Sequence, residues 1–154
     1  MDVAAQPQQS IHLIEIPTDR FPLLVPSATI AEVVNVGELS PLPLAPPWVL
    51  GVIGWRTKAV VVVSFEALLA GAITMPGPRS KIIVFYPLPG ADDGGFFGVL
   101  STRDPQPRVI DSNSDLVPNA AGAVESDYVA ATVKLREKTL LIPDMGTLKT
   151  VFYP

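Results

Sequence analysis

Residues 50–69 read LGVIGWRTKAVVVVSFEALL, and the reading of this stretch decides the fold. Two apolar segments, Val49 to Trp55 and Ala59 to Phe65, flank a polar break at Trp55-Arg56-Thr57-Lys58. Neither segment approaches the roughly 20 apolar residues that a spanning helix needs. Their β-branched content suits a pleated, buried surface instead. The stretch therefore predicts a β-hairpin with a charged tip. Two explanations of the arginine stay open: a solvated turn residue, or a side chain held out for a partner. Glu66 to Ala70 then reads as one helical turn stopped by Gly71, since glycine readily takes the left-handed conformation that ends helices.

Upstream, Ile11, Leu13, Ile14 and Ile16 suggest a first strand closed by Pro17. Thr18-Asp19-Arg20 turns the chain into a hairpin partner, Phe21 to Pro26, whose prolines imply an edge or strand-end position. Ser27 or Thr29 would cap a helical turn over Ile30 to Val33, and the β-branched residues there leave a strand open as the alternative. Ser40 to Trp48, SPLPLAPPW, carries four prolines. Proline fixes φ and removes a donor, so the segment reads as an extended, rigid connector. A structural linker is favoured over a polyproline ligand.

Downstream, Lys81 to Tyr86 is a strand, Leu88 to Gly95 a turn cluster, and Phe96 to Ser101 the returning strand. Residues 103–127 are polar and turn-rich, with Val109-Ile110 as a short buried piece. Tyr128 to Leu135 and Thr139 to Ile142 form a last hairpin, and a short element follows Pro143. About nine or ten short strands with few helices favour a barrel or sandwich over a doubly wound α/β fold. There is no short-period repeat of the solenoid type.

Composition agrees. The 154 residues suit one domain, with residues 1–10 as a flexible tail and 11–154 as the folded unit. Apolar residues make up 48% and charged residues 17%, while 17 prolines and 11 glycines cut the chain into short pieces. The 11 basic residues are scattered and the net charge is -4, so no footprint for nucleic acid exists. No direct membrane insertion is expected. The absence of cysteine and of a signal-peptide pattern places the chain in the cytoplasm.

Chemistry finds little support. Nucleophilic catalysis needs a nucleophile, a base and an orienting group, and the sole histidine, His12, reads as an exposed or hydrogen-bonded strand residue. One histidine, no cysteine and the turn pair Asp92-Asp93 do not build a metal site. Gly51-Val52-Ile53-Gly54 lacks the spacing of a phosphate loop. The carboxylates Asp111 with Asp115, and Glu125 with Asp127, stand in loops without pattern. No catalytic residue, metal or cofactor is expected. A β-barrel with a ligand-binding or catalytic pocket at its mouth is the alternative.

The arrangement of the segments carries more. Ile30-Ala31-Glu32-Val33, Pro41-Leu42-Pro43, Ala45-Pro46-Pro47-Trp48, Gly51-Val52-Ile53-Gly54-Trp55-Arg56 and Val60 to Phe65 follow one another. Lys81 to Phe85, Gly98-Val99-Leu100 and Leu140-Leu141-Ile142-Pro143-Asp144 continue the series. This order resembles the CheW-like domain, the adaptor module of bacterial chemosensory arrays, over about residues 10–150. The W-R and V-S-F-E-A-L wording is similar to ChpC-like accessory adaptors of pilus-linked, twitching systems. The resemblance implies a mainly β fold of two small, intertwined five-stranded SH3-like barrels packed around a shared hydrophobic core. It also implies a non-enzymatic bridge between a chemoreceptor's cytoplasmic signalling tip and the regulatory domain of a CheA-like histidine kinase. By resemblance, Arg56 is the receptor-contacting arginine, and Ile30, Glu32 and Gly51 are further partner-binding candidates; Trp55 joins them because tryptophan and arginine are enriched at interface anchors. Three positions depart from the family pattern: Thr57 stands for a glycine, Val61 for a proline, and Thr102 for an aspartate, with Asp104 two residues on.

Overall fold

The inner strands of the five-stranded sheet are buried on both faces, which is why the apolar runs there are continuous rather than alternating. The computed structural model describes residues 10–71, 75–88, 95–111, 116–119 and 122–152. A six-stranded sheet contains β1 (Ile11–Ile16), β2 (Leu23–Pro26), β8 (Gln106–Ile110), β9 (Leu116–Pro118), β10 (Val129–Leu135) and β11 (Lys138–Pro143). Its order is β8-β1-β2-β11-β10-β9. The five-stranded sheet contains β3 (Ile30–Asn35), β4 (Val49–Trp55), β5 (Lys58–Val63), β6 (Lys81–Phe85) and β7 (Phe97–Ser101), in the order β3-β6-β7-β5-β4. Helix α1 (Phe65–Ala70) follows β5, and α2 (Met145–Phe152) follows β11.

Residue parity decides where each side chain goes. Val60, Val62, Ile82 and Val84 join Ile53 and Trp55 in a core wrapped by the five-stranded sheet. Their neighbours Val63, Ile83, Phe85, Phe97 and Val99 point the other way, into a core shared with Ile16, Leu23, Val25 and Leu141 of the other sheet. Leu24, Val133 and Leu140 form a smaller core inside the six-stranded sheet. The shared cluster has twelve buried members against six and three in the other two. At about 1.5–3 kcal/mol per fully buried aliphatic side chain, the greater part of the apolar stabilisation lies between the sheets.

The fold repeats itself. Val49 pairs with Val63 across β4 and β5, and Val129 with Pro143 across β10 and β11, each pair followed by a β-bulge. The matching positions all differ by 80. Each second strand then makes a parallel pairing, Val61 with Phe97 and Leu141 with Leu23. Each hairpin runs into a helix whose N-cap side chain accepts a backbone N–H. Ser64 Oγ accepts from Ala67 at 3.2 Å and Asp144 Oδ1 from Thr147 at 2.9 Å. Gly71 closes α1 at φ 73°.

Several expectations need correction. β2 lies between β1 and β11, so of the two positions its prolines implied, the strand end holds and the edge does not. Pro26 ends it, and Pro22 just precedes it, contributing only its carbonyl, which accepts from Leu141 N–H at 2.9 Å. Ile30 to Val33 is strand, with a 3-10 turn at Ser27–Thr29 before it. Residues 103–127 supply two strands, and Val109 is 55% exposed on edge strand β8 rather than buried. Ser40 to Trp48 is not extended throughout. A turn from Leu42 to Ala45, with Leu44 at φ 63°, interrupts it, and a polyproline helix needs φ near -75°. The tail residues 1–9, the loop 89–94 with Asp92-Asp93, and Asp115 lie outside the described residues.

Candidate functional site

The β4–β5 hairpin closes with Trp55 paired to Lys58, leaving Arg56 and Thr57 as a two-residue loop. Both have positive φ, 46° and 63°. This is the type I′ pattern, whose twist matches that of the strands it joins. Asparagine and glycine are its usual residues, and a β-branched threonine is strained in this region, at a cost of about 1–3 kcal/mol. The Thr57 hydroxyl donates to Arg56 O at 2.5 Å. The turn thus forms although neither of its residues is glycine or asparagine.

That turn holds Arg56 outward, with its side chain 66% exposed. Its Nη2 donates to Glu32 Oε1 at 2.7 Å, and the guanidinium lies 4.7 Å from the centre of the Trp55 ring. Trp55 itself is only 7% exposed, so it supports the arginine rather than offering a face of its own. Its indole N–H is buried without an acceptor among the described residues. Trp55 tilts against Phe96 at 4.8 Å, and Phe96 against the half-exposed Tyr86 at 6.0 Å. Lys58 Nζ lies 5.8 Å from the Phe96 ring centre. Two cations therefore sit on a row of three rings, beside a groove of about 760 Å³ lined in part by Val34, Asn35, Trp55, Arg56 and Lys58.

The structure brings together Arg56, Trp55 and Glu32 and leaves the other two candidates elsewhere. Ile30 pairs with Phe85 and packs on the shared core. Gly51 is buried at a bulge with φ 151°, and an added Cβ would come within 2.5 Å of Ser40 O. That glycine is demanded by the close backbone bridge between Ser40 and Val52. Lys58, Phe96 and Tyr86 were not singled out from the sequence. The available signal was the cation two places after Arg56.

A second polar centre went unnoticed. Glu15 on β1 is 1% exposed, yet its carboxylate accepts from Arg108 Nε at 3.1 Å and from Lys138 Nζ. These cations come from β8 and from the start of β11, next to the Arg136-Glu137 turn. A buried carboxylate requires such partners. The sequence clue was parity: Glu15 shares the inward phase of Leu13. A groove of about 800 Å³ opens there, between β8 and the β10–β11 turn.

Among the described residues no group of three or more His, Cys, Asp and Glu could hold a metal ion. No described helix is long and apolar enough to cross a membrane.

Comparison with known proteins gives a consistent picture. The family model described as "CheW-like domain" matches residues 12–150. The protein FrzA of Myxococcus xanthus is 32% identical over 80 residues, which is 52% of this chain and 49% of that protein. The matched region thus spans about half the length of that curated relative. The scaffolding protein TtCheW from Thermoanaerobacter tengcongensis superposes with a TM-score of 0.73 over 94% of this chain and 90% of that one, at 17% identity. At that identity the likeness speaks for the fold, and the two sheets correspond to its two SH3-like barrels.

Proposed function

The chain belongs to the CheW-like domain family, and from that premise we propose that it is a non-enzymatic scaffold of a chemosensory assembly, coupling a chemoreceptor's signalling tip to the regulatory domain of a CheA-type kinase. The observation that carries the reading is Arg56, held outward by a strained two-residue turn, seated on Trp55 and steadied by Glu32. Tryptophan and arginine are the residues most enriched at interface anchors. A strained turn that persists without its glycine has a conformation worth keeping. In this reading Arg56 and Glu32 meet the partner, Trp55 supports them, and Ile30 and Gly51 shape the strands behind. Residues 11–154 act as one unit, the tail 1–10 stands outside it, the setting is the cytoplasm, and the pathway is a pilus-linked one.

The alternative, a ligand-binding barrel mouth, calls for a deep pocket with convergent free polar groups. Glu15, the most buried polar group at either mouth, is already held by Arg108 and Lys138.

Capture experiments with a soluble receptor-tip hairpin and with a kinase regulatory domain test the proposal. Micromolar binding to either is expected, and failure to bind both refutes it. Arg56→Ala should weaken receptor capture about tenfold while leaving the melting temperature unchanged, because its ion pair is exposed and worth little to stability. A variant that unfolds would make Arg56 a structural residue.

A further inference from the structure

No charged residue occurs between Glu38 and Arg56. Within that stretch Leu42-Pro43-Leu44-Ala45 forms a β-turn, in which Ala45 N–H donates to Leu42 O at 3.3 Å. Proline in the second place and a positive φ, here 63°, in the third are the type II pattern. The third place ordinarily takes glycine or asparagine, and a leucine there is strained. The Leu44 side chain is also fully exposed, at 105%, and Leu42 is 46% exposed. The turn is fixed from both sides. Ser40 exchanges backbone hydrogen bonds with Val52 at 2.9 and 2.8 Å, and Val49 N–H donates to Pro46 O at 3.0 Å. Conformation and solvation therefore both disfavour Leu44 in the free protein, and a side chain exposed to that degree has no packing within the chain to offset them.

We propose that Leu44 is an interface anchor, a leucine knob presented on a proline-locked turn to an uncharged apolar pocket of a protein partner. The absence of charged residues from the stretch that carries the knob matches an apolar, neutral site. A lipid surface is a poorer match, because peripheral membrane contacts combine larger apolar area with basic residues. Rigidity favours binding, since the loop needs little further ordering on contact. Anchors seated in pockets carry a disproportionate share of interface energy. The inference adds to the scaffold reading a contact that does not use Arg56, and it rests on that reading for the choice of probes.

Three variants test it: Leu44→Gly, Leu44→Asn and Leu44→Met. The probes are the receptor-tip hairpin, the kinase regulatory domain and phosphatidylcholine vesicles. Glycine and asparagine relieve the strain, so both should raise the melting temperature by about 2–4 °C. Both should also weaken binding of one protein probe at least tenfold, equally at low and high salt, whereas methionine should preserve it. A Leu44→Gly protein that melts lower shows a structural role and overturns the proposal. So does a binding loss seen only on vesicles. If the natural chain binds a probe and Leu44→Gly binds it equally, this inference fails alone. If the natural chain binds neither protein, the scaffold reading fails and takes the anchor with it.

Discussion

The β4–β5 and β10–β11 hairpins share bulge, register, parallel neighbour and helix cap, yet their turns and mouths differ. In the first, both turn residues have positive φ and the arginine's carboxylate partner, Glu32, is itself 39% exposed. In the second only Arg136 has positive φ, and the buried acidic residue at that mouth, Glu15, is sealed between two cations. The same scaffold has been finished in two ways. One end spends polar groups on holding strands together, and the other holds them out. Buried ion pairs are costly to break and exposed ones contribute little, so the two ends should respond differently to substitution.

The largest expected effect tests that contrast. Removing both cations in Arg108→Ala/Lys138→Ala strands the Glu15 carboxylate, and urea unfolding should show a loss of about 3–5 kcal/mol. Arg56→Ala/Lys58→Ala at the other mouth should cost less than about 1 kcal/mol. Equal losses would erase the distinction. Next, Gly51→Ala forces a Cβ against Ser40 O at a left-handed φ and should cost about 3 kcal/mol. The matching position in the other half is already alanine, and Ala131→Gly should cost about 1 kcal/mol or less. The smallest effect has opposite signs in the two turns. Thr57→Gly should stabilise by about 1 kcal/mol through strain relief, and Glu137→Gly should destabilise by about 0.5–1 kcal/mol, both read from thermal melts.

Much of this architecture was readable from residue order. The hairpin at Arg56, the partner strands Lys81–Phe85 and Phe97–Ser101, the helical turn ended by Gly71 and the closing hairpin all have local causes in β-branched runs and turn residues. What escaped was set by distant contacts. β2 is interior because β11 arrives from 118 positions away, at Leu23 with Leu141, which no local pattern reports. The 80-residue repeat escaped because it is conserved in parity and capping rather than in residue identity: Ser64 is matched by Asp144, Trp55 by Leu135. Of the candidate site, Arg56 and Glu32 were legible through the family resemblance. Their support by Trp55, Phe96 and Tyr86 was not, since three strands must fold before those rings meet.

The division of strands between the sheets also orders events on the ribosome. The five-stranded sheet is drawn from one continuous segment, Ile30 to Ser101, and can complete itself while the rest of the chain is still being made. Its six-stranded companion takes β1 and β2 from the beginning and the remaining strands from the end. The nascent chain must therefore carry Glu15 without its two cations until Arg108 and Lys138 emerge, 93 and 123 residues later. A charge that would be a liability in a finished interior is, during that interval, what keeps the waiting hairpin hydrated.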